Sequence, residues 1–122
     1  MSDQSFSFGD SPEMADELLE LVLGGRKTAT AWAASQGDKG VTVGSRWIVK
    51  DGQGRPRAIT ETVEITRRRC GDVDASFAYD EGEGDRTLDY WRDAHRRYFM
   101  REGTYSGHME VYCERFRLVA VL

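Results

Sequence analysis

The segment Gly24-Gly25-Arg26-Lys27-Thr28-Ala29-Thr30 lies where an apolar helical pattern gives way to a β-type pattern. Glycine at a helix end supplies the left-handed residue that stops the helix. A Lys-x-x-Thr sequence just beyond such a stop can be presented at a turn, with both side chains available for chemistry. Spacing alone favours ordinary surface residues here, so the interpretation depends on the rest of the chain.

The residues before this segment predict a helix that begins at Ser11-Pro12 and ends at Gly24-Gly25. Serine is a good N-cap, and proline is well suited to the first helical position. Residues 1–10 are expected to be extended. The apolar positions recur with helical spacing and form one buried stripe, made of Met14, Leu18, Leu21 and Val22.

The residues after it predict strands over 28–34, 46–50 and 57–69, with a turn at 51–54. A helical turn is expected over 72–78, followed by a glycine-rich loop at 81–85. Asp85 or Thr87 then caps a second long helix, and residues 110–122 are β-rich. The order α-β-β-β-α-α-β-β predicts an α+β fold with a mostly antiparallel, barrel-prone sheet. The apolar face of the second helix consists of Leu88, Trp91, His95, Tyr98 and Phe99.

Composition predicts one domain over residues 1–122. The chain is 39% hydrophobic and 31% charged, and no apolar run approaches the roughly 18 residues of a membrane span. The N-terminus lacks the pattern of a signal peptide. Cys70 and Cys113 are far apart and are expected to be reduced, buried thiols. These features predict a cytoplasmic protein without membrane contact.

The net charge of −4 argues against a protein that coats nucleic acid. The charge is uneven, however, because 67–69 is an arginine run and acidic residues gather between Asp72 and Asp85. A local basic surface therefore stays open as an alternative. Further arginines lie on the second long helix, at Arg92, Arg96, Arg97 and Arg101.

Most familiar catalytic and metal-binding patterns are missing. The chain has two histidines, His95 and His108, and neither has a partner at metal-ligand spacing. Glu81, Glu83 and Asp85 are too few for an EF-hand loop. We therefore predict no metal and no cofactor. His95 is either a catalytic group or a semi-buried histidine satisfied within the helix face.

The remaining candidates are Lys27, Thr30 and a carboxylate of the Glu81-x-Glu83 loop. Burial disfavours an ammonium, so a lysine at the rim of a cleft can act as a neutral base towards a threonine hydroxyl. A glutamate can orient that lysine, although a solvated acidic loop is equally compatible with the sequence. Residues three apart on a regular strand point to opposite faces, so Lys27 and Thr30 converge only if the backbone turns between them.

Several segments together resemble the ASCH domain family, over nearly the whole chain. They are Phe8-Gly9-Asp10-Ser11-Pro12, residues 25–30, Gly44-x-x-Trp47, the block from Phe77 to Asp85, the helix motif from Leu88 to Phe99, and Cys113-Glu114-Arg115-Phe116. The resemblance implies a PUA-like β-barrel flanked by helices and a link to RNA. Some members of that family are N4-acetylcytidine amidohydrolases with a Lys-x-x-Thr and a later glutamate as catalytic triad; others have been described as ribonucleases.

Transferred to this chain, the resemblance implies Thr30 as nucleophile, Lys27 as base and Glu81 as the residue that orients Lys27, with Glu83 as the competing choice. The substrate would be an acylated cytidine or a related modified nucleoside. Two alternatives stay open: a ribonuclease that uses the same cleft, and a non-catalytic RNA-binding module in which Arg26 and residues 67–69 contact phosphate. The oligomeric state is left open. The substrate-binding candidates are Arg26, Trp32, Trp47, Glu83, His95 and Tyr98.

Overall fold

The computed structural model describes residues 4–122, so the first three positions of the predicted extended arm lie outside the described residues. Five strands and three α-helices form in this range. Two short 3₁₀ turns cover residues 34–36 and 70–72. The elements are β1 (Ser5–Phe6), α1 (Pro12–Leu23), β2 (Ala29–Ala33), β3 (Arg46–Lys50), β4 (Pro56–Arg69), α2 (Ala75–Glu81), α3 (Leu88–Glu102) and β5 (Glu110–Val121).

The strands form one mixed sheet in the order β1-β3-β4-β5-β2. β1 runs parallel to β3, and every other neighbouring pair is antiparallel. β4 and β5 form the longest strand pair of the sheet. Irregularities between Ile59 and Thr60 and between Thr62 and Glu64 interrupt its register. Bulges of this kind bend a strand and increase its twist. The predicted α+β class and mostly antiparallel pairing are confirmed.

The predicted barrel is not closed. Among the described residues, β1 pairs only with β3 and β2 pairs only with β5, so the two sheet edges stay apart. A cavity separates the two edges, since Phe6 of β1 and Thr30 of β2 both line it. The two strands expected after residue 110 are also wrong, because β5 pairs with β4 from Glu110 to Val121 as one strand.

The helices cover opposite faces of the sheet. α1 begins where predicted, with the Ser11 hydroxyl accepting a hydrogen bond from the Met14 amide at 3.1 Å. Its apolar side packs against β3, β4 and β5, whereas α2 and α3 pack against β2 and the first half of β5. None of the helices in residues 4–122 has the length and apolar character needed to cross a membrane.

Two helix boundaries position the site; that of α2 differs from the prediction, and that of α3 agrees with it. α2 begins after its N-cap Asp74 and continues to Glu81, so Glu81 is the last helical residue and not part of the glycine-rich loop. Gly82, with φ of 71°, is the left-handed residue that ends the helix. α3 is capped by Thr87, whose hydroxyl accepts from the Tyr90 amide at 3.1 Å.

Candidate active site

Lys27 lies in the turn between α1 and β2. Gly25, with φ of 77°, supplies the left-handed residue, and the amides of Arg26 and Lys27 both donate to the Leu21 carbonyl at 2.9 and 3.0 Å. This turn directs Lys27 into the protein, where it is 1% exposed. The expectation that Lys27 lies at the rim of the cleft is therefore wrong, because the double-glycine turn folds it beneath the α2–α3 loop.

The Lys27 ammonium has an oxygen acceptor for each of its three protons. Nζ lies 2.7 Å from Glu83 Oε2, 3.1 Å from Glu81 Oε1 and 3.4 Å from the Glu81 carbonyl oxygen. The Phe8 ring lies on another side, with its centroid 5.4 Å from Nζ. The structure thus brings Lys27, Glu81 and Glu83 together, and both glutamates are directed at the lysine instead of forming a solvated acidic loop.

Glu81 is further anchored by α3. Its Oε2 accepts a hydrogen bond from the Trp91 indole Nε1 at 2.5 Å and lies 3.4 Å from His95 Nε2. His95 Nδ1 lies 2.9 Å from the Trp91 carbonyl, which can only accept, so Nδ1 carries the hydrogen. Nε2 then faces Glu81, and this contact is favourable when a proton lies between the two atoms. His95 is thus part of a charge network and not only a packed helix residue.

Arg26 fixes the loop that carries Glu83. Its Nε donates to the Gly82 carbonyl at 2.7 Å, and Nη2 donates to the Gly84 carbonyl at 2.6 Å. Arg26 does not line the cavity described below. Arg26 was predicted to bind substrate, whereas in the structure it supports this loop.

The pKa of Lys27 is raised, which is opposite to the direction expected from burial. Burial alone lowers it, but the charges and hydrogen bonds of Glu81 and Glu83 together outweigh that effect. For Glu83, burial is likewise opposed by the Lys27 charge, and the pKa is lowered. For Glu81, burial dominates and raises the pKa. In the resting site, Lys27 is therefore an ammonium paired with the Glu83 carboxylate.

These groups lie on one side of a cavity of about 350 Å³. Its walls include Phe6 from β1 and Thr30 from β2, so it lies where the two edges of the sheet fail to join. All but one of the predicted site residues line it: Lys27, Thr30, Trp32, Trp47, Glu81, Glu83, His95 and Tyr98.

Thr30 and Lys27 converge because only Thr30 belongs to the strand. β2 begins at Ala29, and Lys27 precedes it in the turn, so the opposite-face rule for strands does not apply to this pair. The hydrogen bonds of Lys27 Nζ go to Glu81 and Glu83, and Thr30 is not among them.

Aromatic side chains form another part of the cavity wall. The Trp32 ring stacks on Tyr112 with centroids 5.7 Å apart, and its Nε1 donates to the Gly37 carbonyl at 2.8 Å. Trp47 Nε1 is buried and has no hydrogen-bond partner within residues 4–122. An unpaired buried donor is costly, and no contact within the described residues offsets the desolvation of this indole N–H.

Sequence reasoning missed Glu114 as a site residue. This β5 glutamate lines the cavity and is only 6% exposed, and its Oε2 accepts a hydrogen bond from the Thr62 hydroxyl at 2.6 Å. Burial raises the pKa of Glu114. Its position in the sequence was the signal that could have identified it. Glu114 lies on the same side of the strand as Tyr112, Phe116 and Leu118, where a carboxylate is unusual.

Comparisons with known proteins place the chain in a family. A family model described as ASCH domain matches residues 4–120. The chain is similar to protein EF3133 of Enterococcus faecalis V583, with 32% identity over 100% of this chain and 83% of that one and a TM-score of 0.88. It is also similar to an ASCH domain of Lactobacillus crispatus JV V101, with 29% identity over 96% and 79% of the two chains and a TM-score of 0.86.

A more distant likeness concerns the fold alone. The ASCH protein of Zymomonas mobilis is 10% identical over 98% of this chain and 70% of that one, with a TM-score of 0.62. A comparison with curated proteins gave no match.

Proposed function

We propose, from the premise that this chain belongs to the ASCH domain family, that it hydrolyses the acyl amide of a modified cytidine, with N4-acetylcytidine as the first substrate to test. The family is linked to RNA-related functions. The observation that carries the proposal is the buried Lys27, held by Glu81 and Glu83 in the cavity that Thr30 lines. A volume of about 350 Å³ falls within the range of small-molecule sites.

The charge distribution favours a nucleoside over an RNA strand. Arg67 pairs with Glu110 and Arg68 with Asp74, so two of the three arginines in the predicted phosphate-binding run already have acidic partners. On α3, Arg96 and Arg97 share Asp93, and Arg101 pairs with Asp10. Each pair places a carboxylate beside an arginine and so reduces the positive potential that a phosphate would meet, but these exposed pairs are weak. The effect in favour of a nucleoside over the ribonuclease and RNA-binding alternatives is therefore small.

In the proposed reaction, Thr30 attacks the acyl carbon of the amide. Lys27 is an ammonium at rest, so it becomes a base only after one of its protons moves to a carboxylate. Glu83 is the acceptor that the geometry favours, because its side chain lies 2.7 Å from Nζ and is 16% exposed, whereas Glu81 is 1% exposed and both of its oxygens are engaged. The transfer is uphill in the resting site, since the pKa of Lys27 is raised and that of Glu83 is lowered. Glu81 keeps the predicted role of orienting Lys27, and Glu83 is added as the proton acceptor.

The aromatic wall is suited to a nucleobase. Trp32 provides a ring face on which a pyrimidine can stack, an interaction worth about 1–3 kcal/mol per base. Trp47 adds a second aromatic side chain to the cavity wall, although its buried indole N–H is not exposed there. The two rings supply apolar, aromatic surface, as expected for a site that binds a neutral base.

The decisive experiment is to incubate the purified protein with N4-acetylcytidine and to measure cytidine and acetate. Thr30→Ala should lower the rate at least about 100-fold, the scale of a lost catalytic group. Thr28→Ala is the matched control, because Thr28 is two residues away and directs its hydroxyl to the Asp80 carbonyl. A single-stranded RNA should stay intact under the same conditions. Cleavage of RNA with no release of acetate would overturn the proposal.

Salt dependence provides a second test of the substrate class. A neutral nucleoside brings no phosphate charge, so turnover should change little between 50 and about 200 mM salt. A ligand held by many phosphate contacts would lose affinity by orders of magnitude over this range. A steep salt dependence of nucleoside turnover would count against the proposed site.

A further inference from the structure

Glu114 is the direct cross-strand neighbour of Thr30. The two residues are Cα partners in the antiparallel β2–β5 pair, and both line the cavity. Directly opposed residues on one face of a sheet have Cβ atoms about 4.5–5.5 Å apart. A carboxyl group is therefore fixed beside the proposed nucleophile by the register of the sheet.

The Glu114 carboxyl group is held at one oxygen only. Oε2 accepts the hydrogen bond from Thr62 at 2.6 Å, and Oε1 makes no hydrogen bond with the described part of the chain. Buried polar groups are normally satisfied by protein, water or ligand. Oε1 is thus the atom that can meet a substrate bound next to Thr30.

We propose that Glu114 is the general acid of the reaction and protonates the leaving nitrogen. This inference rests on the proposed function, since it takes Thr30 as the nucleophile. Lys27, Glu81 and Glu83 form the base side of the site. Glu114 lies on the strand next to that of Thr30, and its carboxyl group makes no hydrogen bond with those three side chains.

The proton balance closes over one cycle. Neutral Lys27, formed by transfer of one proton to Glu83, takes the Thr30 proton as the new C–O bond forms. The C–N bond then breaks, and the leaving nitrogen takes the proton of Glu114. Water next gives a proton to the Glu114 carboxylate while its oxygen attacks the acyl-Thr30 ester. Thr30 leaves with a proton from Lys27, the carboxylic acid departs, and Glu83 returns its proton to Lys27.

The environments of the carboxyl groups agree with this division of roles. Burial raises the pKa of Glu114, against smaller opposing effects of Thr62 and Lys27, whereas Lys27 keeps the pKa of Glu83 below its usual value. Two carboxyl groups whose pKa values are moved in opposite directions are typical of an acid–base pair. The other charged or titratable groups that line the cavity are Lys39, Glu81, His95, Tyr98 and Glu102.

The test compares two substrates with the same acyl and aryl groups, 4-nitroacetanilide and 4-nitrophenyl acetate. The anilide needs a protonated leaving nitrogen, whereas nitrophenolate leaves without an acid. In Glu114→Gln, release of nitroaniline should fall at least about 100-fold, the range of general acid contributions. The initial burst of nitrophenolate should fall less than about threefold, and acetyl-Thr30 should accumulate on mass spectrometry because the water is no longer activated.

Glu110→Gln is the matched control, since it makes the same substitution on the same strand outside this cavity. Equal loss of ester and anilide reactions in Glu114→Gln would overturn the acid role, as would full anilide activity. Wild-type protein that cannot process either substrate would also overturn it. Failure to hydrolyse N4-acetylcytidine, with the anilide reaction intact and dependent on Glu114, would remove the proposed substrate and leave this inference standing.

A second variant keeps the carboxyl group and moves only its pKa. The Thr62 hydrogen bond lowers the pKa of Glu114, so Thr62→Val should raise it. The rate of anilide cleavage falls as Glu114 loses its proton, so the alkaline limb of the pH profile should move to higher pH in Thr62→Val. An unmoved limb would contradict the assignment.

Discussion

The indole N–H of Trp91 donates to Glu81 Oε2 at 2.5 Å. Because Glu81 Oε1 faces Lys27 at the same time, this carboxylate joins α3 to the turn that follows α1. Glu83 makes no hydrogen bond to α3 among its described contacts, where Lys27 is its one ionic partner and Glu81 lies within hydrogen-bond reach. The two glutamates therefore separate into one that holds the site together and one that is free to exchange a proton.

Glu81→Gln and Glu83→Gln should lower turnover for different reasons. Glu81→Gln removes the charge that satisfies both Trp91 and Lys27, so it should lower the free energy of unfolding by about 1–3 kcal/mol as well as the rate. Glu83→Gln should lower the rate about 100-fold at a smaller cost in stability. Chemical denaturation and steady-state kinetics on both variants measure this, and a larger stability loss in Glu83→Gln would contradict it.

Lys27→Met should unfold more easily because the buried Glu81 and the partly buried Glu83 lose their cation. Removing one partner of a buried ion pair typically costs about 3–5 kcal/mol. The loss should be smaller at pH 5 than at pH 7, since Glu81 and Glu83 can then take up protons. Urea denaturation at the two pH values measures the difference, and a deficit that grows as the pH falls would exclude the explanation.

Lys27→Arg separates proton transfer from charge. Arginine keeps the positive charge but does not give up a proton at working pH, so turnover should fall by more than tenfold. The rim position expected from the sequence would leave stability unchanged. In the buried site, however, the larger guanidinium should cost about 1–3 kcal/mol through overpacking. A variant that keeps more than a tenth of its rate, a barrier change of less than about 1.4 kcal/mol, would refute Lys27 as the base.

Gly82→Ala should damage both the fold and the site. A Cβ at Gly82 would lie 2.2 Å from the Arg26 carbonyl oxygen, so the loop that carries Glu83 would have to move away from Lys27. Gly103→Ala is the matched control, because Gly103 also ends a helix at positive φ but has nothing within 4 Å of its added Cβ. It should cost about 1–2 kcal/mol for the left-handed backbone alone. Only Gly82→Ala should lose turnover, by at least about tenfold.

Asp51 should make stability depend on pH in the acid range. The Arg55 amide contributes most to lowering the pKa of Asp51, which reaches about 2. The unfolded value is near 3.9, so this contribution is present above about pH 4 and lost as the pH falls through 2. Asp51→Asn should therefore be less stable than the wild type at pH 7 and similar to it near pH 2. A deficit that is constant from pH 2 to 7 would contradict this.

Local signals in the sequence determined most of the elements and eight of the residues that line the cavity. Ser11, Pro12 and the glycine pair bound α1, an apolar run predicts β3 and alternation predicts β4, because caps, turns and periodicity act over a few residues. The Lys27-x-x-Thr30 motif and the Glu81-x-Glu83 loop were found in the same way. Only tertiary structure decided that α2 and the loop after it cover Lys27, because sequence separation says nothing about which segments meet.

Three properties of the site arise only because distant segments of the chain pack together. Lys27 is buried and yet has a raised pKa, because two carboxylates from residues more than fifty positions away outweigh its desolvation. The cavity lies between β1 and β2, the two edges of the sheet that do not pair. Glu114 lies beside Thr30 because of the β2–β5 register. Burial, charge pairing and strand register depend on which segments pack together. The sequence determines them through folding, but they cannot be read from its local patterns.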